Sequence, residues 1–198
     1  MLGPAETERI WDRHLLNCAV VAELVLPARE LVDIGSGAGL PGIVLAMLLP
    51  DVHVVLVEAM ARRTTFLAEC VEALGLSNVD VRRGRAEDMA GRLAADVVTA
   101  RAVARLDRLA VLAAGVAKPG GLVLAMKGAS AGHELAEAQP VLRRLAASEA
   151  EIVTAGAGVL AQPTTVVRFR TSADGRRSAG WTKARSGGAG GARRVQTR

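Results

Sequence analysis

The feature that most constrains the fold is a glycine-rich run at residues 31–42, LVDIGSGAGLPG, which contains four glycines. The apolar residues that open it predict a buried strand, and the apolar run after Pro41 predicts a helix. A glycine turn that joins a strand directly to a helix places backbone N–H groups and the helix N-terminus beside a crevice. The run therefore predicts an α/β domain with a ligand site at this turn.

Further along the chain, short β-rich runs alternate with longer helical runs. This alternation predicts βαβ units and a mostly parallel sheet of seven strands with helices on both faces, a Rossmann-like α/β architecture. The last two runs, EIVTAG and PTTVVRFRT, are separated only by AGVLAQ. This linker is too short for a helical crossover, so the C-terminal strands are predicted to form an antiparallel hairpin.

Four local features of the helices and turns are also predicted. Residues 5–26 read as one amphipathic helix, and AEDMAGRL at 86–93 reads as a short helix. PGG at 119–121 predicts a turn before the fifth strand. Pro140 predicts a break in the helix at 130–147, because proline removes a backbone donor.

Composition limits the class of protein. Hydrophobic residues make up 51% of the 198 residues, enough for one domain with a sizeable core, and charges interrupt every apolar stretch before it reaches membrane-spanning length. The two cysteines, Cys18 and Cys70, offer neither a disulfide framework nor metal-ligand spacing. We expect a cytoplasmic protein with no metal site and no membrane contact.

Positive charge is concentrated at the C-terminus. The chain has a formal net charge of +5, whereas residues 171–198 alone carry +6 and are rich in glycine. Such a segment is predicted to be disordered, and it is either a phosphate-binding arm or a solubilising extension. We expect a helical segment at 1–27, a ligand-binding domain at 28–171 and a basic tail at 172–198.

Two cofactor patterns overlap in the glycine turn. The dinucleotide pattern GxGxxG is matched by Gly37, Gly39 and Gly42. The S-adenosylmethionine pattern DxGxGxG is matched by Asp33, Gly35, Gly37 and Gly39. Asp33 would repel a pyrophosphate but could meet the ammonium group of methionine, so the turn favours S-adenosylmethionine.

Polar residues after two later strands add to this site. Glu58 ends the second predicted strand, where its carboxylate could accept hydrogen bonds from both ribose hydroxyls of either cofactor. Ala86 and Glu87 follow the third predicted strand, where an adenine would lie. The turn KPGG at 118–121 is of the kind usual in methyltransferases.

Six motifs together carry a resemblance to a known family. They are RHLLNC (13–18), VDIGSGAGLPGI (32–43), RRTTFL (62–67), RAED (85–88), ARAVARL (100–106) and LAMKG (124–128). On these motifs the chain resembles the RsmG (GidB) family, bacterial methyltransferases that make 7-methylguanosine in 16S ribosomal RNA. The resemblance implies a class I methyltransferase fold, S-adenosylmethionine as cofactor, and the 16S rRNA of the small ribosomal subunit as partner; we expect a monomer.

The resemblance also implies roles for particular residues. Gly35 and Leu40 would line the methionine side of the cofactor, and Ala86 and Glu87 would frame its adenine. Arg101 would lie where the cofactor and the target base meet. Family members generally carry a longer helical segment before the first motif, so residues 1–27 are expected to be a truncated cap.

Methylation at guanine N7 makes modest chemical demands. N7 has a free lone pair, so no general base is needed, and catalysis reduces to positioning the reactants and managing charge. Arginine and lysine commonly contact N7 and O6 of guanine. We therefore expect Arg101 and Lys127 to be the catalytic residues, binding O6 or a flanking phosphate and leaving N7 free.

Three other functions stay open at this point. A small-molecule S-adenosylmethionine-dependent methyltransferase would use the same glycine turn. An NAD-linked oxidoreductase would use the overlapping GxGxxG pattern, although the chain has no tyrosine and the turn is acidic. A nucleic-acid-binding module without enzymatic activity would use the basic tail, although it would have no need for the glycine turn.

Overall fold

Seven strands form one sheet in the computed structural model, which describes residues 10–174. The strands are β1 (Glu30–Ile34), β2 (His53–Glu58), β3 (Val79–Arg83), β4 (Ala95–Arg101), β5 (Ala117–Met126), β6 (Ser148–Ala155) and β7 (Thr164–Arg170). Their order is β3-β2-β1-β4-β5-β7-β6, and β7 runs antiparallel to both of its neighbours. The predicted parallel sheet with a C-terminal antiparallel hairpin is confirmed.

Six α-helices accompany the strands in this part of the chain: α1 (Leu16–Ala19), α2 (Gly42–Leu48), α3 (Ala61–Ala73), α4 (Ala86–Met89), α5 (Leu106–Val116) and α6 (Ala131–Arg144). A π-helical turn, Trp11–Leu15, precedes α1, and a 3₁₀ turn, Val20–Leu24, follows it. Where a single helix was predicted over 5–26, the structure thus has consecutive π-helical, α-helical and 3₁₀ turns over residues 11–24. The start of that prediction, and all of the predicted basic tail beyond residue 174, lie outside the described residues.

Helices cover the sheet on both faces, and the alternation along β1 shows why. Val32 and Ile34 point into a core shared with α5 and α6, whereas Leu31 points into a second core shared with α1 and α2. Successive side chains of a strand face opposite sides of the sheet. A strand that is apolar on both faces must be covered on both, as the continuous apolar run in the sequence indicates.

The helical segment 11–24 is fastened to the C-terminal hairpin. The backbone N–H of Gly156 donates to Glu23 Oε1 at 2.9 Å, and the Thr164 hydroxyl donates to the carbonyl of Asn17 at 3.1 Å. Val20 lies so close to Gly156 that a Cβ added there would be 2.6 Å from it. The segment therefore covers the sheet near the start of β7.

The structure corrects three local predictions. Helix α6 continues through Pro140 without a break; Pro140 and Ala136, whose carbonyl loses its donor, are both exposed, so water can satisfy that carbonyl. The helix predicted over 86–93 is only the single turn α4, since Gly91 adopts φ +73°. The PGG turn lies inside the bounds of β5, as an irregularity with Gly120 at φ +71°.

The strand order reverses between β1 and β4, which are neighbours although β2 and β3 separate them in sequence. In an open α/β sheet such a reversal leaves a crevice beyond the carboxyl ends of the strands. The glycine-rich run follows β1 directly and so lies at this crevice. Among the described helices, none is both long and apolar enough to cross a membrane.

Candidate active site

Two cavities lie side by side at the carboxyl edge of the sheet. The smaller cavity, about 410 Å³, lies over the ends of β1 and β2 and is lined in part by Gly35, Glu58, Ala86 and Glu87. The larger cavity, about 860 Å³, lies over the ends of β4 and β5 and includes Arg101 and Lys127 in its lining. Residues 102–104 line both cavities, and we call them the shared wall.

The glycine turn is shaped by a close approach to the shared wall. Gly35 adopts φ +67°, and a Cβ added to it would lie 2.8 Å from Val103 Cγ2. An L-amino-acid side chain is disfavoured at this φ and has no room here. Because Gly35 has no side chain, Val103 of the shared wall can pack directly against the turn. The shared wall therefore forms one side of the smaller cavity.

Asp33 lies beneath the turn rather than in a cavity. Its side chain is fully buried, accepting hydrogen bonds from the Thr99 hydroxyl at 3.0 Å and the Gly42 N–H at 3.2 Å. Burial raises the pKa of this carboxyl to about 7, with the hydrogen bonds from Thr99 and Gly42 acting in the opposite direction. Asp33 thus organises the turn in this structure, and it is not in the lining where the sequence analysis expected a contact with the methionine ammonium.

Glu58 connects the end of β2 to the glycine turn. Its Oε2 accepts a hydrogen bond from the Gly37 N–H at 3.0 Å, and its Oε1 accepts one from the Met60 N–H at 2.9 Å. Arg63 Nη1 lies 3.7 Å from Oε2. A carboxylate oxygen can accept more than one hydrogen bond, so Glu58 retains acceptor capacity toward the smaller cavity.

Ala86 and Glu87 form the far side of the smaller cavity, at the start of α4. Ala86 is buried, and Arg108 Nη2 of α5 donates to Glu87 Oε1 at 3.2 Å. The short helix begins there because Asp88 accepts a hydrogen bond from the backbone N–H of Arg85 at 3.3 Å. The cavity is therefore apolar at Ala86 and carries carboxylates at Glu58 and Glu87, each of which lies beside an arginine of the same lining, Arg63 or Arg108.

Arg101 joins the larger cavity to the N-terminal helical segment. Its guanidinium donates to Cys18 Sγ at 3.4 Å and to His14 Nδ1. Burial raises the pKa of the Cys18 thiol to about 11, although the charge of Arg101 acts to lower it. Cys18 is therefore a neutral thiol that helps to orient Arg101, rather than a nucleophile.

Lys127 follows β5 and reaches into the lining of the larger cavity. Its ammonium donates to Glu134 Oε2 at 2.7 Å and to the carbonyl of Ala104 at 2.8 Å. Burial acts to raise the pKa of Glu134, but the hydrogen bonds from Lys127 and Ser130 outweigh it, so this pKa is lowered. Lys127 and Glu134 thus form an ion pair of two charged groups.

The structure divides the site residues that the sequence predicted. Gly35, Glu58, Ala86 and Glu87 line the smaller cavity, and Arg101 and Lys127 line the larger one. Four lie outside both linings: Asp33, Gly37, Gly39 and Leu40. The last of these packs on the edge of the apolar core beneath the turn.

Sequence reasoning missed residues whose role depends on neighbours from other elements. Val103 in the shared wall, Glu134 on α6, and Gln162, Thr164 and Thr165 near the start of β7 all line a cavity. Only Val103 lay inside a quoted motif, ARAVARL. Within residues 10–174, no group of three or more His, Cys, Asp or Glu side chains could hold a metal ion.

The chain is similar to known proteins of one family over most of its length. A family model described as GidB, rRNA small subunit methyltransferase G, matches residues 1–162. A protein of Thermobifida fusca named ribosomal RNA small subunit methyltransferase G is 51% identical over 168 residues, covering 85% of this chain and 71% of the relative. Proteins of the same name from Salinispora tropica and Streptomyces coelicolor are 52% and 50% identical, each over 85% of this chain and over 73% and 71% of the relative.

Solved structures share the fold at low sequence identity. The mitomycin 7-O-methyltransferase MmcR matches with a TM-score of 0.64 at 18% identity, covering 85% of this chain and 58% of that one. A SAM-dependent methyltransferase from Aquifex aeolicus matches with a TM-score of 0.61 at 17% identity, covering 86% of this chain and all of that one. These likenesses show the class I methyltransferase fold.

Proposed function

The chain belongs to the GidB family of rRNA small subunit methyltransferases, and from this premise we propose that it transfers a methyl group from S-adenosylmethionine to N7 of a guanine in 16S rRNA. The observation that carries the proposal is the pair of adjoining cavities with one shared wall. A methyl transfer needs two reactants held in line and close together. Two neighbouring pockets at the switch point of the sheet provide such an arrangement.

The smaller cavity suits the nucleoside of the cofactor. Its volume is within the range of cofactor sites, and its lining combines apolar groups with carboxylates and arginines. Glu58 would accept the ribose hydroxyls, and Ala86 with Glu87 would frame the adenine. Gly35 would lie on the methionine side, with Gly37, Gly39 and Leu40 shaping the turn and Asp33 holding it from below. When bound, S-adenosylmethionine supplies an electrophilic methyl group on a cationic sulfur.

The larger cavity suits a base that enters from outside. It is about twice the volume of the smaller one and contains cationic groups, Arg101 and Lys127, near the shared wall. Hydrogen-bond donors of this kind match O6 of guanine or a neighbouring phosphate. With O6 held, the N7 lone pair would remain free to face the smaller cavity.

The residues of the site act by binding and orientation. Arg101 and Lys127 hold the base or its phosphate, and the shared wall sets the angle at which the base meets the cofactor. Cys18 and His14 keep the Arg101 guanidinium in place through its hydrogen bonds. No proton has to be removed from the base, so the site needs no His or Cys base. We place this activity in the cytoplasm, on the small ribosomal subunit or its RNA, with the protein acting as a monomer.

The test is transfer of labelled methyl from S-adenosylmethionine to small-subunit RNA from cells that lack this gene. We expect labelled RNA, with 7-methylguanosine identified by mass spectrometry of its nucleosides. A different methylated nucleoside would overturn the N7 assignment and keep the methyltransferase. Cofactor binding with transfer only to small molecules would overturn the RNA substrate, and failure to bind the cofactor would overturn the whole proposal.

A further inference from the structure

Glu134 is connected to three different elements at the larger cavity. It lies in the first turn of α6, and its Oε2 accepts hydrogen bonds from Lys127 Nζ at 2.7 Å and from the backbone N–H of Leu106 at 3.1 Å. Its Oε1 accepts one from the Ser130 hydroxyl at 2.9 Å. One carboxylate thus joins the end of β5, the start of α5 and the start of α6.

These contacts fix the shared wall from one side. Lys127 donates to the carbonyl of Ala104 at 2.8 Å, and Glu134 accepts from Leu106, two residues further along. The wall begins at Ala102, which adopts φ +53°, a conformation that a non-glycine residue keeps only when its surroundings hold it. The Lys127–Glu134 pair therefore sets where the wall stands between the two cavities.

The same pair sets the charge of the larger cavity. The side chains of Lys127 and Glu134 are 9% and 17% exposed, so water screens their charges poorly. Methylation at N7 moves positive charge from sulfur to the purine ring. The lining also contains Arg105, which Glu137 already balances. With Lys127 unbalanced beside Arg101, the developing charge would meet two further cations; with Glu134 in place, it would meet one.

We propose that Glu134 is a positioning residue for methyl transfer, which holds the Lys127 ammonium against the shared wall and balances its charge as the target base becomes cationic. The inference rests on the proposed function, since it concerns the charge that develops on guanine. It goes beyond the family motifs, none of which includes residue 134.

The experiment is steady-state kinetics of the full chain and its Glu134→Gln variant with small-subunit RNA. Glutamine has nearly the same shape, so the hydrogen bonds can persist while the negative charge is lost. We expect kcat to fall about tenfold, because a cation left unbalanced opposes the transition state. We expect KM for the RNA to stay equal or fall, because added positive charge attracts phosphate.

Two measurements separate this role from a purely structural one. Binding of S-adenosylhomocysteine, whose sulfur is neutral, should change less than about twofold, since the smaller cavity is intact. In a Lys127→Met background, Glu134→Gln should lower kcat by less than about twofold, because the charge it balances is gone. The matched control is Glu151→Gln, which removes the same charge from an exposed ion pair with Arg168 and should leave kcat unchanged.

The results that would overturn the inference are distinct. An unchanged kcat in Glu134→Gln, with an active wild type, would overturn it and leave the proposed function standing. A higher KM for RNA together with weaker S-adenosylhomocysteine binding, or an equal loss in the Lys127→Met background, would assign Glu134 a structural role only. A wild type that makes no 7-methylguanosine would overturn the proposed function and this inference with it.

Discussion

Asp33 and Gly42 are nine residues apart, and the carboxylate of the first accepts a hydrogen bond from the backbone N–H of the second at 3.2 Å. This bond closes the glycine turn from below, and the Thr99 hydroxyl on the adjacent strand β4 fastens the same carboxylate at 3.0 Å. The geometry of the turn thus depends on the buried carboxyl of Asp33 at its start and on the lack of a side chain at Gly42 at its end.

Gly42→Ala tests whether the turn requires a residue without a side chain at this position. A Cβ at this position would lie 2.3 Å from Leu56 Cδ2 and 2.7 Å from Asp33 Oδ2, so either the start of α2 or the buried side chains of Leu56 and Asp33 must shift. We expect a loss of about 1–3 kcal/mol in the free energy of unfolding, measured by urea denaturation, and weaker cofactor binding. Gly132→Ala in the first turn of α6 is the control, since a Cβ there meets nothing closer than 4.0 Å. Equal stability of the two variants would contradict the packing described here.

The stability of the fold should depend on pH through Asp33. Its pKa is raised to about 7 in the folded protein by burial, whereas that of an unfolded aspartate is about 4. The folded state holds the proton more tightly, so this contribution is complete below about pH 4 and is lost as the pH rises to about 7. Its size is on the order of 4 kcal/mol at most.

Asp33→Asn isolates this effect, because asparagine has nearly the same shape and does not titrate. Urea denaturation at pH 5 and pH 7.5 should show a smaller loss of stability with rising pH in the variant than in the wild type. Asp96 and Glu134, whose pKa values are lowered, contribute chiefly below this range and do not interfere. If the stabilities of the two proteins changed equally with pH, the raised pKa of Asp33 would be contradicted.

Glu58→Gln should weaken cofactor binding. Each carboxylate oxygen accepts a backbone N–H, from Gly37 and from Met60, so an amide NH₂ in place of one oxygen would face a donor. We expect the dissociation constant of S-adenosylhomocysteine, measured by calorimetry, to rise about tenfold to a hundredfold. Glu72→Gln removes the same charge from an exposed position on α3 and should have no effect. Wild-type affinity in Glu58→Gln would remove Glu58 from the proposed ribose site.

Arg101→Lys should lower methyl transfer although it keeps the charge. Lysine lacks the planar fork with which Arg101 contacts both Cys18 and His14, so the cation would lose its fixed position. We expect kcat for RNA methylation to fall about tenfold, with cofactor binding unchanged. Arg168→Lys on β7, an exposed pair with Glu151, serves as the reference variant. Full activity of Arg101→Lys would show that charge alone is sufficient.

Removing residues 175–198 tests the basic tail. This segment contains seven basic residues and no acidic ones, whereas Thr171 and Ser172 before it are buried and should be kept. Each phosphate contact that is lost reduces the dependence of RNA affinity on salt. We expect weaker RNA binding with a shallower salt dependence, measured by filter binding, and unchanged S-adenosylhomocysteine affinity. An identical salt dependence would make the tail a solubilising extension.

The strands and the glycine turn could be predicted from the sequence because their signals are local. The apolar run before Gly35 is sufficient to predict a buried strand. The short linker between the last two strands is sufficient to predict that they run antiparallel. Pro140 was a wrong prediction for a physical reason. The helix tolerates it because that face is exposed, and exposure is a property of the fold rather than of the residue.

Some residues of the candidate site could be placed in the fold from the sequence, because they stand at or just after the end of a predicted strand. Glu58 ends β2 and Ala86 follows β3, so their positions in the chain indicated that both lie at the carboxyl edge of the sheet. Asp33 was placed on the correct strand, but its direction depended on Thr99, 66 residues later, which holds it under the turn. The sequence around Glu134 does not indicate a role for it, because that role depends on its hydrogen bonds with Lys127 and Leu106 from other elements.

Because residues 11–24 are hydrogen-bonded to the C-terminal hairpin, they can reach their final position during translation only after the hairpin has been made. Asn17 and Thr164 are 147 residues apart, and Glu23 and Gly156 are 133 apart. At about 5–20 residues per second, a ribosome needs roughly 7–30 seconds to make the residues that separate the first pair. The helical segment leaves the ribosome before the seven strands of the sheet, yet its hydrogen bond with Thr164 must wait for β7, the last of them. The larger cavity, which both Asn17 and Thr164 line, is thus complete only when synthesis of the sheet has reached β7.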